Sequence, residues 1–207
     1  MSTTPPLASP RPRVIALVLA AGRASRFGTD KRQALLPDGR NLLQAVLQTQ
    51  RQACDAVLVL LREGDAWGQA QCAESGVDWL AVPDADQGMG RTLVAGLKAL
   101  LADADTDHGP RRFDAALVVL ADMPAVQAST VRALVDAFFR EGRPAWPWHA
   151  GQPGHPRLLP RASWPALLDL SGDEGARRRL DWSQATRVDV QDRGILIDID
   201  SPADLGG

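Results

Sequence analysis

Directly after an apolar run, the sequence places three small residues, Ala20, Ala21 and Gly22, and then the cations Arg26 and Lys31. A loop with almost no side chains lets backbone N–H groups approach phosphate oxygens, and cations fixed beside it neutralise a polyphosphate. Taken alone, the same residues also read as a tight strand exit with Arg23, Arg26 and Lys31 as solvated surface charges. The spacing excludes the two commonest phosphate cradles: Gly22 and Gly28 do not make GxGxxG, and no Lys directly follows Gly28. Asp122 ends an apolar stretch, where a carboxylate suits a hard cation, but before Met123 and Pro124 it suits a turn or a cap equally well. Asp198 and Asp200 alternate onto one face of an expected strand, and Asp200 ahead of Ser201 and Pro202 reads as either a metal ligand or an N-cap. The sequence contains no Ser-His-Asp, Cys-His or nucleophile-elbow arrangement.

Residues of this kind need strand ends to hold them. Val14 to Leu19, Ala56 to Leu61, Trp79 to Val82 and Ala115 to Leu120 are short apolar runs without alternation, the pattern of strands buried on both faces. Segments of helical periodicity separate or follow them at Leu42 to Ala53, Asp65 to Ser75, Thr92 to Leu101 and Ser129 to Arg140, the last opened by a potential Ser cap. This alternation predicts βαβ units in a three-layer α/β/α, Rossmann-like, doubly wound and mostly parallel sheet. After Gly142 the Pro-, Gly- and Trp-rich stretch reads as short bent strands or a flap over the sheet edge, with Trp146 and Trp148 packing on one face. Two short helical segments are expected at Ser163 to Asp169 and Glu174 to Leu180, before a final "ILIDID" strand. The polar stretch around Gly109 lacks the glycine position and closing Glu of an EF-hand, and reads as a solvated loop.

With 207 residues the chain fits one domain, expected over 13–207 behind a disordered tail at 1–12. A net charge of −2 argues against nucleic acid or an anionic membrane as partner, yet before Asn41 seven basic residues face only two acidic ones. Cys54 and Cys72 have no CxxC spacing, and no apolar segment approaches the roughly 20 residues that cross a bilayer; reduced thiols and a cytoplasmic location are expected.

Seven stretches in order, "LAAGRASRFG", "DKRQALL", "QGMGRTLVAGL", "LADMP", "PGHPRLLP", "SGDEGARRRL" and "DIDSPADL", resemble the nucleotidyltransferases that build the dinucleotide form of the molybdenum cofactor. The resemblance implies a fold of the nucleotide-diphospho-sugar transferase type. It also implies Mg²⁺-dependent transfer of CMP from CTP to the terminal phosphate of a molybdopterin-type acceptor, with pyrophosphate released. "LAAG" is similar to the cytidylyl-transferring branch rather than the "LAGG" of the guanylyl branch, and the Ala21 methyl narrows the space near the base. Carried onto this sequence, the resemblance makes Arg26, Lys31 and Asp122 catalytic. It gives nucleotide binding to Leu19, Ala20, Ala21, Gly22, Ser25, Arg26, Lys31, Gly88, Met89, Gly90, Thr92 and Ala121, with the Thr92 hydroxyl opening a helix. Acceptor binding falls to Gly154, His155, Pro156, Asp173, Gly175 and Arg177, and metal binding to Asp122 and Asp200. The chain departs from the family pattern at Phe27, at Gly90 with Thr92, and at His155, where Met, Ser and Asn are usual. Guanylyl transfer to the same acceptor, cytidylyl or uridylyl transfer to a sugar or polyol phosphate, and a non-catalytic cofactor carrier are the alternatives. A recipient molybdoenzyme or its chaperone is a further implied partner.

Overall fold

The computed structural model describes residues 11–22, 27–102, 113–170, 172 and 179–206. Eight strands form one sheet: β1 (Val14–Leu19), β2 (Ala56–Arg62), β3 (Asp78–Val82), β4 (Ala115–Leu120), β5 (Ala145–His149), β6 (Gln152–Pro153), β7 (Arg157–Pro160) and β8 (Thr186–Asp189). Their order is β3-β2-β1-β4-β7-β5-β6, with β8 on β5. The β1–β2, β2–β3, β1–β4 and β5–β8 pairs are parallel, whereas β7 runs antiparallel to both β4 and β5.

Helices cover both faces, which is why β1 and β4 can be apolar at consecutive positions. Ala16, Val18, Leu117 and Val119 cluster with side chains of α1 (Leu42–Arg51), α2 (Ala66–Ser75) and α4 (Ala128–Glu141). Ile15, Leu17, Ala116 and Val118 face α3 (Met89–Ala102) together with Trp164, Leu167 and Trp182. Gly96 lets α3 settle onto the sheet, since a Cβ there would lie 2.8 Å from the Leu60 side chain. The expected three-layer α/β/α sheet is therefore present, and β1 and β4 have the bounds that their apolar runs predict.

Several local expectations are corrected. Helix α3 starts at Met89, so Thr92 does not open it; the Thr92 hydroxyl instead lies 3.5 Å from the Gly88 carbonyl in its own turn. Helix α4 starts at Ala128, and its cap is not Ser129. Asp192 accepts from the Gln127 N–H at 2.9 Å and the Thr130 hydroxyl at 2.6 Å. The expected helix at 163–169 resolves into 3-10 turns at Arg161–Ser163 and Pro165–Leu167. Trp164, Leu167 and Leu170 are all fully buried, and their three-residue spacing is the 3-10 period. "ILIDID" is not a strand but a 3-10 turn, Arg193–Leu196, followed by irregular chain; Asp198 is exposed and Asp200 half-buried, so the two do not share one strand face.

The helix expected at Glu174 to Leu180 falls almost wholly outside the described residues, as do the tail at 1–10 and the loop around Gly109. No helix among the described residues is long and apolar enough to cross a membrane. Burial pushes the Cys54 thiol up to about 12 and the Cys72 thiol up to about 11, with no disulfide between them.

Candidate active site

The exits of β1 and β4 lie side by side because the two strands are parallel and in register, Leu19 against Leu120. In an open α/β sheet this is where ligands bind. A cleft of about 360 Å³ opens there, walled by Leu19, Ala21 and Gly22 at the β1 exit, Leu120 and Asp122 at the β4 exit, and Gly88, Met89 and Thr92 around the start of α3. The small-residue loop, the "GMGRT" segment and Asp122 thus meet in one place. Ala20 and Ala121, also expected to bind nucleotide, are buried, as is Gly90, whose N–H donates to the Gly172 carbonyl at 2.9 Å.

The 3-10 turn Lys31–Gln33 is capped by Asp30, which accepts from the Arg32 N–H at 3.1 Å. The turn delivers Lys31 to the β4 exit: its ammonium lies 2.8 Å from Asp122 Oδ2 and 3.0 Å from Asp200 Oδ1. Asp200 arrives by a different route, as the Ile199 N–H donates to the Asp122 carbonyl at 2.8 Å. The segment is held by Asp204, which accepts from the N–H groups of Asp200 and Ser201. Burial disfavours the Lys31 charge, but hydrogen bonds to Asp122 and Asp200 outweigh it and hold its pKa above the ordinary value. Asp122 Oδ1 is buried and has no hydrogen-bond partner among the described residues. Two carboxylates with one such oxygen fit a hard divalent cation, which takes oxygen ligands and completes its shell with water and substrate phosphates. Among the described residues no group of three or more His, Cys, Asp or Glu side chains forms a metal cluster.

Behind the loop stand residues that sequence reasoning missed. Arg32 is buried and donates to Asp30 at 2.9 Å, to Asp65 at 2.5 Å and to the Ala20 carbonyl at 2.8 Å. Arg62, the last residue of β2, donates to the Gly22 carbonyl at 2.7 Å. The register Leu19 to Leu60 places Ala21 against Arg62 two steps further on, and that continuation of the ladder was the available signal. Asp86 also borders the cleft without having been singled out.

Among the residues expected to bind the acceptor, Gly154 packs against the Arg193–Leu196 turn so closely that a Cβ would lie 2.3 Å from the Ile195 carbonyl oxygen. The His155 N–H donates to that same oxygen at 3.0 Å, and the peptide to Pro156 is cis. Burial, reinforced by the neighbouring Arg157, lowers the His155 pKa to about 4. Trp146 meets Trp148 edge-on at 5.3 Å and Trp182 at 5.0 Å, a packed aromatic group as its alternation suggests. Ser25, Arg26, Asp173, Gly175 and Arg177, expected to bind nucleotide or acceptor, lie outside the described residues.

Comparison with known proteins identifies the family. A family model described as MobA-like NTP transferase domain matches residues 16–188. The molybdenum cofactor cytidylyltransferase of Escherichia coli K12 is 23% identical over 190 residues, 91% of this chain and 92% of that protein. A probable molybdenum cofactor guanylyltransferase of Chloroflexus aggregans is 30% identical over 122 residues, spanning 57% of this chain and 50% of that protein. Among solved structures, Rv0371c of Mycobacterium tuberculosis H37Rv superposes with a TM-score of 0.75 at 25% identity, covering 95% of this chain and 96% of the other. A second structure of Rv0371c, in complex with manganese, gives 0.66 at 24% identity, covering 87% of this chain and 88% of the other.

Proposed function

Because the chain belongs to the family of MobA-like NTP transferase domains and is a nucleotidyltransferase, we propose that it transfers CMP from CTP to the terminal phosphate of molybdenum cofactor, with Mg²⁺ as its metal. The observation that carries this reading is the meeting of Lys31, Asp122 and Asp200 at the mouth of a cleft walled by Ala21 and Gly22. The relative that matches over nearly its whole length is a cytidylyltransferase for that cofactor, which supports both the base and the acceptor. Ala21 packs with Leu60, Val82 and Ala85 and borders the cleft; on this reading its methyl narrows the space near the base, which favours a pyrimidine.

In the reaction, an acceptor phosphate oxygen attacks the α-phosphorus of CTP, the bond from that phosphorus to the bridging oxygen breaks, and pyrophosphate carries the electron pair away. The acceptor phosphate is already anionic near neutral pH, so no protein nucleophile is required. Catalysis reduces to positioning and charge neutralisation. Backbone N–H groups of Ala21 and Gly22 face the phosphates, and the Lys31 ammonium neutralises the charge that develops on the leaving pyrophosphate. A divalent cation bound by Asp122 and Asp200 would supply further neutralisation of the triphosphate.

The guanylyl relative at 30% identity supports a second reading, GTP in place of CTP on the same acceptor. Thermal-shift titration with each of the four NTPs plus Mg²⁺ decides between them, since a ligand that binds only the folded state stabilises it. CTP is expected to give the largest shift and, with molybdenum cofactor, a dinucleotide product detectable by mass spectrometry. A preference for GTP would overturn the base assignment, and no product with any NTP would overturn the transferase reading for this acceptor.

A further inference from the structure

Arg62 belongs to none of the motifs that suggest nucleotide binding, yet it holds the back of the loop that would bind it. Resting on the nucleotide reading above, we infer that Arg62 and Arg32 form a two-arginine clamp that orients the Ala21 and Gly22 amides toward the triphosphate, making both arginines positioning residues for the nucleotide. Three consecutive carbonyls carry the observation. Ala20 O accepts from Arg32 Nη1 at 2.8 Å, while Arg62 Nη2 lies 3.4 Å from Ala21 O and 2.7 Å from Gly22 O.

A peptide unit is planar and trans, so its C=O and its N–H point in opposite directions. Turning the carbonyls of Ala20 and Ala21 onto the guanidinium groups therefore turns the N–H groups of Ala21 and Gly22 the other way. Ala21 and Gly22 wall the cleft, whereas Arg32 and Arg62 border a separate hollow of about 550 Å³. The clamp thus lies behind the loop, with the amides in front.

The electrostatic consequence is direct. A glycine-flanked loop of small residues has low barriers to peptide rotation, and a flipped unit would present a carbonyl oxygen, with its partial negative charge, to an anionic ligand. Hydrogen bonds from charged donors are about twice as strong as neutral ones, so Arg32 biases the Ala21 amide forward through Ala20 O, and Arg62 biases the Gly22 amide forward through the longer contact to Ala21 O while anchoring the loop at Gly22 O. The two arginines are held differently. Arg32 is buried, fixed by Asp30 and Asp65 and stacked 5.5 Å from the Trp67 ring. Arg62 reaches the loop from a strand end that is partly exposed, so it can be replaced without opening the core.

The test compares Arg62→Met, which removes the donors, with Arg62→Lys, which keeps one charged donor. Mg-CTP affinity is read by calorimetry, and exchange of the Ala21 and Gly22 amides is read by NMR in the nucleotide-free chain. Arg62→Met is expected to weaken nucleotide binding about tenfold, the scale of one lost hydrogen bond to a charged group. Arg62→Lys should recover part of that loss, kcat at saturating nucleotide should change less than threefold, and amide exchange should accelerate in Arg62→Met. Unchanged nucleotide affinity in Arg62→Met, or a loss confined to kcat, would overturn the clamp. A wild-type chain that bound none of the four NTPs would instead overturn the nucleotide reading, while the amide exchange would still report whether Arg62 holds the loop.

Discussion

Lys31 and Asp122 are 91 residues apart in the chain, yet the ammonium and one carboxylate oxygen meet at 2.8 Å across the exits of two neighbouring strands. Asp200 completes the group from the other side at 3.0 Å. The pairing leaves the second oxygen of Asp122 buried and without a partner among the described residues.

Replacing Asp122 with Asn removes its charge while keeping its shape. We expect pyrophosphate release to fall by about a hundredfold or more, the scale of losing a preorganised charge at a reacting phosphate. The melting temperature should stay within a few degrees of wild type, because the side chain is a quarter exposed and outside the core clusters. Full activity in Asp122→Asn would remove this residue from the catalytic group.

Helix α4 is capped from 65 residues away, as Asp192 binds the Gln127 N–H and the Thr130 hydroxyl while also accepting from the Gly194 N–H at 2.9 Å. Asp192→Ala should therefore destabilise the chain by about 1–3 kcal/mol in urea unfolding. Ser129→Ala, at the residue that looks like a cap in the sequence, should change stability by no more than about 0.5 kcal/mol. Equal effects of the two substitutions would contradict the remote cap.

Gly154 and Gly22, both candidate-site residues, differ in what surrounds them. A methyl at Gly154 would meet backbone of the Arg193–Leu196 turn, which cannot rotate aside, whereas a Cβ at Gly22 meets nothing within 4 Å. Gly154→Ala should lose about 2 kcal/mol or more, and Gly22→Ala should lose almost none, both measured by chemical denaturation. Tolerance of alanine at Gly154 would mean that the contact with Ile195 is looser than the structure has it.

His155 gives a pH dependence with a definite sign. Its folded pKa, about 4, lies below the ordinary value of 6.5 because burial opposes the charge and Arg157 adds repulsion. Between pH 6.5 and 4 the unfolded chain takes up a proton that the folded chain refuses, so stability falls as pH is lowered through that window, by up to about 1.4 kcal/mol per pH unit. Urea midpoints between pH 7 and 4.5 should show this slope, and His155→Gln should lack its share of it. Identical slopes in the two chains would assign the pH dependence to other groups.

The parallel strands were legible in the sequence for a physical reason. Covered on both faces, β1 and β4 carry unbroken apolar runs whose ends coincide with the strand ends, and those ends locate the cleft. Lys31, Asp122 and Asp200 could be named as candidates from residue type, but their meeting could not be read locally, because the backbone bond from Ile199 to Asp122 is what brings Asp200 in. Asp192 was missed because its partner helix lies far away in sequence, while Ser129 offered a nearer and misleading cap. The final apolar alternation looked like a strand, yet Ile195 is buried from a 3-10 turn and Ile199 from irregular chain. Alternation records burial, and only neighbouring strands convert it into a ladder.

The reversed direction of β7 has a consequence for how such an enzyme could change its acceptor. Because β7 runs against β4 and β5, its first residue, Arg157, pairs near the β4 exit, and the β5–β6 turn at Ala150 and Gly151 lies at the same end of the sheet. Gly154, His155 and Pro156 lie on the connection from β6 to β7 at that end, whereas the cleft is walled from the exits of β1 and β4 and the start of α3. On the proposed reading, rewriting that connection leaves the β1 and β4 exits untouched, so the acceptor could change without disturbing the nucleotide cleft.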